Sequence, residues 1–190
     1  TDSSLPLTYA VFMDGKKVSM EGASPVRNLT SANEPGMHRL TGRVYDAHDN
    51  MTEVSQEIRI LRALEVWRQQ YFGTTDNTGN ANDVFDYDQD GIPNLLEWAC
   101  HLDPTMPSTL PVAATVKGGQ LEFTYSRSVA ALNGGTMYRA EWSESGSIWR
   151  GFSVRETILS DDNIVQIVRV NMPIENIRRC FARLQVWRGF

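Results

Sequence analysis

The sequence predicts a mainly β protein in which two β regions flank a short helical segment. Apolar and polar residues alternate over short runs near both ends of the chain, which is typical of strands with one buried face. Turn signals such as Asp14-Gly15 and Gly118-Gly119 separate these runs. The middle of the chain instead has helical periodicity on either side of an acidic stretch. We therefore divide the sequence into regions 1–61, 62–107 and 108–190.

Composition limits the kinds of partner. The chain has 190 residues, of which 41% are hydrophobic, enough for buried cores. Its net charge of −5 argues against a nucleic-acid partner. No apolar run approaches the ~18 residues that a membrane span requires, so we expect no span. The sequence opens with neither Met nor a leader pattern, so we expect it to begin inside a longer or processed chain.

The first region reads as four or five short strands. Residues 7–13 alternate, and Asp14-Gly15 then predicts a hairpin into the run KKVSM. A second pair of strands, in residues 38–50 and 51–60, follows a break at residues 34–36. Turns at this spacing predict part of a β-sandwich.

Two stretches of this region resemble bacterial Ig-like domains of secreted proteins. They are Y-x-V-F-M-D-G-K-K-V and P-G-M-H-R-L-T-G-R-V-Y-D-A-H-D-N, within a match that covers residues 7–61. The resemblance implies the later half of an Ig-like β-sandwich. The first two or three strands of that family have no counterpart here. We therefore expect the rest of a larger parent chain, or a neighbouring subunit, to supply them.

The middle region predicts two helices around an acidic loop. Leu64, Trp67 and Tyr71 form one apolar stripe, and Gly73 follows it as a helix-ending glycine. A polar Asn/Gly-rich connector comes next. After the loop, Pro93 suits the start of a second helix, which Asp103-Pro104 should end.

The acidic loop between these helices predicts a cation site. The stretch DYDQDGIPNLLE matches the D-x-[DN]-x-[DN]-G-x5-E pattern at every specified position. Repulsion among its carboxylates favours a bound divalent ion, and ligation by oxygen alone favours Ca²⁺ over zinc or copper. Mg²⁺ suits a flexible seven-ligand shell poorly. An acidic turn that starts a helix, without any metal, is the alternative. The predicted ligands are Asp86, Asp88, Asp90, Ile92 (through its carbonyl), Asn94 and Glu97.

A longer pattern around the loop resembles a known module. W-R-x-x-Y-F-G, then D-x-D-x-D-G-x-x-N-L-L-E-W-A-x-x-L-D-P, resembles a module of large secreted verrucomicrobial and planctomycete proteins. The loop is also similar to dockerin and thrombospondin type 3 calcium loops, and this resemblance implies the same six ligands. Cys100 and His101 depart from the pattern, since the family usually has a larger apolar residue and a glycine there. A dockerin has two loop–helix repeats and this chain has one, so cohesin binding is not implied.

The last region predicts a small antiparallel β-sandwich of six strands. The runs are PVAATVK, QLEFTYSRS, MYRAEWSES, FSVRETIL, IVQIVRVNM and RCFARLQVW. Glycine and asparagine turn signals separate several of them. The patterns F-T-Y-S-R and Y-R-A-E-W-S resemble a domain that follows the calcium module in the same bacterial proteins.

The sequence leaves the roles of two residue pairs open, one of cysteines and one of tryptophans. Cys100 and Cys180 could form a disulfide in a secreted protein, or stand as two separate buried thiols. Trp142 and Trp149 could stack against a glycan, or belong to the core and rim of the sandwich.

Motifs for catalysis are absent from the sequence: there is no HExxH, GxSxG or phosphate-binding glycine loop. We therefore expect a non-catalytic protein. The expected function is that of a calcium-stabilised structural or interaction region of a larger secreted or cell-surface bacterial protein. One alternative is a carbohydrate-binding accessory region of a secreted polysaccharide-active enzyme. Another is a subunit of an extracellular assembly that strand exchange with a neighbour completes.

Overall fold

The computed structural model describes residues 7–18, 34–151, 156–173 and 179–189. The chain divides into two compact units, Thr1–Arg62 and Ala63–Phe190. The described residues form three antiparallel sheets and three short helices, which confirms the predicted mainly β fold. In chain order the elements are β1 (Thr8–Met13), β2 (Lys16–Lys17), β3 (Gly36–Tyr45), β4 (Met51–Ile60), α1 (Ala63–Phe72), a 3₁₀ turn (Gly79–Ala81), α2 (Asn94–Cys100), β5 (Val112–Lys117), β6 (Gln120–Ser128), α3 (Val129–Asn133), β7 (Thr136–Ser143), β8 (Arg150–Gly151), β9 (Thr157–Asp161), β10 (Val165–Pro173) and β11 (Phe181–Arg188).

The described part of the first unit is one four-stranded sheet with the order β2-β1-β3-β4. Asp14 and Gly15 form the tight turn between β1 and β2 with φ values of 49° and 78°, as their sequence predicts. His38 on β3 braces this turn, because its Nδ1 lies 2.6 Å from Asp14 Oδ2. Ser19 and Met20, which end the run KKVSM, lie outside the described residues.

This sheet has no second layer among the described residues of its unit. The side chains of Tyr9, Val11 and Val54 lie on one face, and Val54 is 71% exposed. The Ig-like sandwich of residues 1–61 therefore stays a prediction.

The second unit contains two sheets that pack face to face. One has the order β5-β6-β10-β9 and the other has the order β11-β7-β8. Alternate residues of β6 and β10, including Phe123, Tyr125 and Val168, are buried against Ala140 of β7. The predicted run FSVRETIL begins at residues 152–155, which lie outside the description, and β9 starts at Thr157.

The helices pack on the same sandwich. Trp67 of α1 and Trp98 of α2 form a second buried cluster, and Tyr138 of β7 packs against both clusters. The Trp98 indole N–H donates to Thr136 Oγ1 at 3.2 Å, and the Tyr138 hydroxyl donates to the Ala99 carbonyl at 2.8 Å. The helices and the C-terminal strands therefore belong to one compact unit, Ala63–Phe190.

Membrane insertion through a helix finds no support in the described ranges. No helix there combines the length and the apolar character needed to cross a bilayer.

Candidate metal centre

The acidic loop lies between the 3₁₀ turn and α2, and it brings three carboxylates together. Oxygen atoms of Asp86, Asp88 and Asp90 all lie within 4.8 Å of one another. Gly91 follows with a φ of 93°, a left-handed conformation in which a side chain would be strained. The backbone N–H of Asn94 donates to the Phe85 carbonyl at 2.9 Å and so closes the loop onto the helix start.

Each aspartate uses one oxygen to brace the loop backbone. Asp86 Oδ2 accepts from the Gly91 amide at 2.8 Å, and Asp88 Oδ1 accepts from the Asp90 amide at 3.2 Å. Asp90 Oδ1 accepts from the Ile92 amide at 2.7 Å. The remaining oxygens of the first two residues, Asp86 Oδ1 and Asp88 Oδ2, are buried and accept no hydrogen bond.

Glu97 on α2 is the most unusual group of the site. Its side chain is fully buried, and neither Oε1 nor Oε2 has a hydrogen-bond partner. Burial, together with the smaller effect of the charges on Asp88, Asp90 and Asp86, raises the pKa of Glu97 from 4.5 to about 8. A protein interior rarely leaves a carboxylate without a donor or a counter-ion, because the desolvation cost is large.

These orphaned oxygens fit a calcium ion. Five buried oxygens without partners come from four side chains at positions 1, 3, 9 and 12 of the loop, namely Asp86, Asp88, Asn94 and Glu97. Asp90 at position 5 already accepts hydrogen bonds on both oxygens, but each oxygen keeps a second lone pair for a cation. All donors are oxygens, the ligand type of calcium. The role of the Ile92 carbonyl stays a prediction.

The loop is tied to the segment that leads into β5. Asp90 Oδ2 accepts from the Ser108 amide at 2.6 Å and from its hydroxyl at 3.2 Å. Hydrogen bonds from the Ser108 and Ile92 amides lower the pKa of Asp90, although burial acts in the opposite direction. Asp90 is therefore held as a carboxylate at the edge of the site.

Sequence reasoning missed the residues that support Asn94. The Asn94 side-chain amide donates to the carbonyl oxygens of Asn80 at 2.8 Å and Asn82 at 2.9 Å. Its Oδ1 atom remains buried without a partner. The sequence presents residues 74–83 only as a polar connector, and backbone carbonyls leave no signal in a sequence.

Trp142 and Trp149 do not share one surface. Trp142 pairs with Ala182 across β7 and β11, one position away from the Glu141–Arg183 pair, so Arg183 lies on the opposite face of the sheet. Trp149 is on that opposite face, because the Arg183 guanidinium lies 4.0 Å from its ring centre. The Arg150 guanidinium lies 5.3 Å from the Trp142 ring centre. The structure therefore does not bring the two indoles together as a single platform for a sugar.

The two cysteines are free thiols. Cys100 is buried on α2, and burial raises its thiol pKa to about 12. Cys180 is half-buried just before β11, where its Sγ lies 3.6 Å from the Phe181 carbonyl oxygen. A thiol with the properties of Cys100 is a small apolar side chain rather than a nucleophile.

The fold and this site define a class: a β-rich protein whose second unit has a cluster of three aspartates in the loop before α2. No protein-family model matches the chain, and no curated protein matches it.

Proposed function

We propose that this chain is a non-catalytic, calcium-stabilised structural region of a larger secreted or cell-surface bacterial protein. One observation carries the proposal: the Glu97 carboxylate is completely buried with neither oxygen hydrogen-bonded, beside a cluster of three aspartates. A bound divalent cation would neutralise these charges and supply the missing partner for each orphaned oxygen.

A cation in the loop would join three parts of the second unit. Asp86 and Asp88 belong to the loop, Glu97 belongs to α2, and Asp90 is bonded to Ser108 ahead of β5. α2 in turn is anchored on β7 through the hydrogen bond from Trp98 to Thr136. Binding to the folded loop alone would therefore stabilise the helical end of the sandwich.

The chemistry of the site also favours a structural role over catalysis. Among the described residues, the one group of three or more clustered acidic, histidine or cysteine side chains is the loop itself. Carboxylates that hold a structural ion are not free to transfer protons. Location outside the cell follows from the proposed affinity, since isolated structural loops fill at the high calcium concentrations found there. The bacterial source rests on the sequence resemblances.

Thermal unfolding with and without a chelator tests the proposal. At a hundred-fold excess of calcium over its dissociation constant, a single site stabilises the fold by about 2.7 kcal/mol. For a unit of this size that corresponds to a loss of about 5–10 °C in Tm when EGTA is added. Asp88→Ala should have the lower Tm in calcium and should show no further loss in EGTA.

The matched control is Asp161→Ala at the end of β9, an acidic residue that is exposed and remote from the loop in sequence. This variant should keep the full calcium shift. A wild-type Tm that does not change between millimolar calcium and EGTA contradicts the proposal, and the loop is then only an acidic turn.

A further inference from the structure

A short segment upstream of the loop, residues 79–83, orients one of the proposed calcium ligands. Its carbonyls at Asn80 and Asn82 both accept hydrogen bonds from the Asn94 side-chain amide. Because these bonds hold the Asn94 Nδ2 atom, Oδ1 is the side-chain atom that remains available to a cation. Asn94 Oδ1 is buried without a hydrogen-bond partner. The position of residues 79–83 therefore decides where the Asn94 oxygen points.

Asp83 ends this segment and binds two arginines from distant parts of the chain. Asp83 Oδ1 pairs with Arg68 of α1, and Asp83 Oδ2 pairs with the Arg188 Nε atom at 2.8 Å, at the end of β11. The Arg68 side chain is only 3% exposed, whereas that of Arg188 is 50% exposed. One carboxylate thus joins the first helix of the unit to its last strand.

Further hydrogen bonds fix the backbone of the segment between these arginines. Arg68 Nε donates to the Ala81 carbonyl at 3.2 Å, and the Asp83 amide donates to Asn77 Oδ1 at 2.7 Å. The Asp83 carbonyl accepts from the Leu95 amide at 3.0 Å, next to Asn94. The segment is therefore bonded to the two arginines on one side and to the start of α2 on the other.

We infer that Asp83, clamped by Arg68 and Arg188, is a positioning residue of the calcium site, through which the end of β11 tunes calcium affinity. This inference rests on the proposed function. Asp83 contacts no ion itself. It acts by holding the carbonyls that orient Asn94. Because coupling between two sites is reciprocal, calcium also strengthens the attachment of the β11 end.

Arg188→Gln is the test variant, because it removes one of the two ion pairs of Asp83 and leaves the pair with the buried Arg68 intact. Asp83→Asn would leave the buried Arg68 charge unpaired and put folding at risk. Calcium titration calorimetry is carried out well below Tm on protein whose fold is checked by circular dichroism. The loss of this half-exposed ion pair should weaken calcium binding about two- to five-fold. Arg188→Lys, which keeps the charge, should recover part of the affinity.

Arg183→Gln is the matched control. Arg183 lies on the same strand, is 44% exposed and donates its hydrogen bonds to the buried Glu141 rather than to Asp83. This control should bind calcium like the wild type, even where its Tm falls.

The outcomes distinguish a failure of the Asp83 clamp from a failure of calcium binding itself. The inference is supported if the wild type and Arg183→Gln bind calcium equally and Arg188→Gln binds it more weakly. Equal affinity in wild type and Arg188→Gln overturns the inference and leaves the proposed function intact. Equal weakening in Arg183→Gln and Arg188→Gln also overturns it, because the effect is then one of general stability. A wild type that binds no calcium overturns the proposed function and the inference together.

Discussion

We expect the side chain of Glu97 to destabilise the fold without a cation and to stabilise it with one. It is fully buried, and neither of its oxygens accepts a hydrogen bond. In the absence of a cation, burial and three neighbouring aspartates disfavour its charged form, which is why its pKa rises to about 8. With calcium present, the same carboxylate closes the ligand shell. Glu97 therefore makes stability depend on the ion.

Glu97→Gln should change stability in opposite directions in the two conditions. In calcium the variant should lose most of the 5–10 °C that the ion contributes, since it lacks the bidentate ligand. In EGTA its Tm should equal or exceed that of the wild type, because the amide removes a buried acid among like charges. Differential scanning calorimetry measures both. A variant that is less stable than wild type by the same amount in both conditions would show that Glu97 has only a packing role.

The residue scale also shows what the loop pattern could and could not predict. The spacing of Asp86, Asp88 and Asp90 predicts that they converge, and their oxygens lie within 4.8 Å of one another. The pattern does not predict the Asp90–Ser108 bonds or the carbonyls that hold Asn94. Those partners are 12–18 residues away in sequence, and all but the Ser108 hydroxyl are backbone groups with no side-chain signature.

The element that holds Glu97 ends in a strained residue. His101 follows α2 with a φ of 59°, its amide donates to Trp98 O, and the Leu102 amide donates to Glu97 O at 2.9 Å. This pair of bonds is a Schellman motif, in which the left-handed residue is usually glycine. The histidine at this position therefore has a physical consequence, since a side chain in this conformation costs about 1–3 kcal/mol.

His101→Gly should stabilise the second unit by about 1 kcal/mol, after the larger entropy of glycine in the unfolded chain is subtracted. That gain corresponds to a Tm increase of about 2–4 °C. His101→Ala, which keeps the strained Cβ atom, is the control and should show no gain. Chemical denaturation gives both values. Equal stability of the glycine and alanine variants would mean that the backbone at residue 101 is not strained.

Element prediction worked best where periodicity was long. The run from Gln120 to Ser128 alternates over the full length of β6, and α1 ends at Phe72 just before Gly73, as its apolar stripe predicts. The short helix α3 was missed, because five residues carry too little periodicity to be seen. Its one local signal is Ser128, whose hydroxyl accepts from the Ala131 amide as an N-terminal cap.

At the scale of the whole molecule, the chain divides into two compact units, Thr1–Arg62 and Ala63–Phe190. The sequence separates a helical segment from the C-terminal strands at residue 107, because the periodicity changes there. Tyr138 joins the two, since it packs in both clusters and bonds Ala99 across 39 positions of sequence. Contacts of that range leave no local pattern, so the common unit of helices and sandwich could not be predicted.

A crystal structure of the protein grown in millimolar calcium would show directly whether the loop binds an ion. We expect a density peak among Asp86, Asp88, Asp90 and Glu97, with both oxygens of Glu97 and the Ile92 carbonyl about 2.3–2.6 Å from the ion. An anomalous signal at that peak would identify calcium. Carboxylates turned outward into solvent, with no ion between them, would contradict the account.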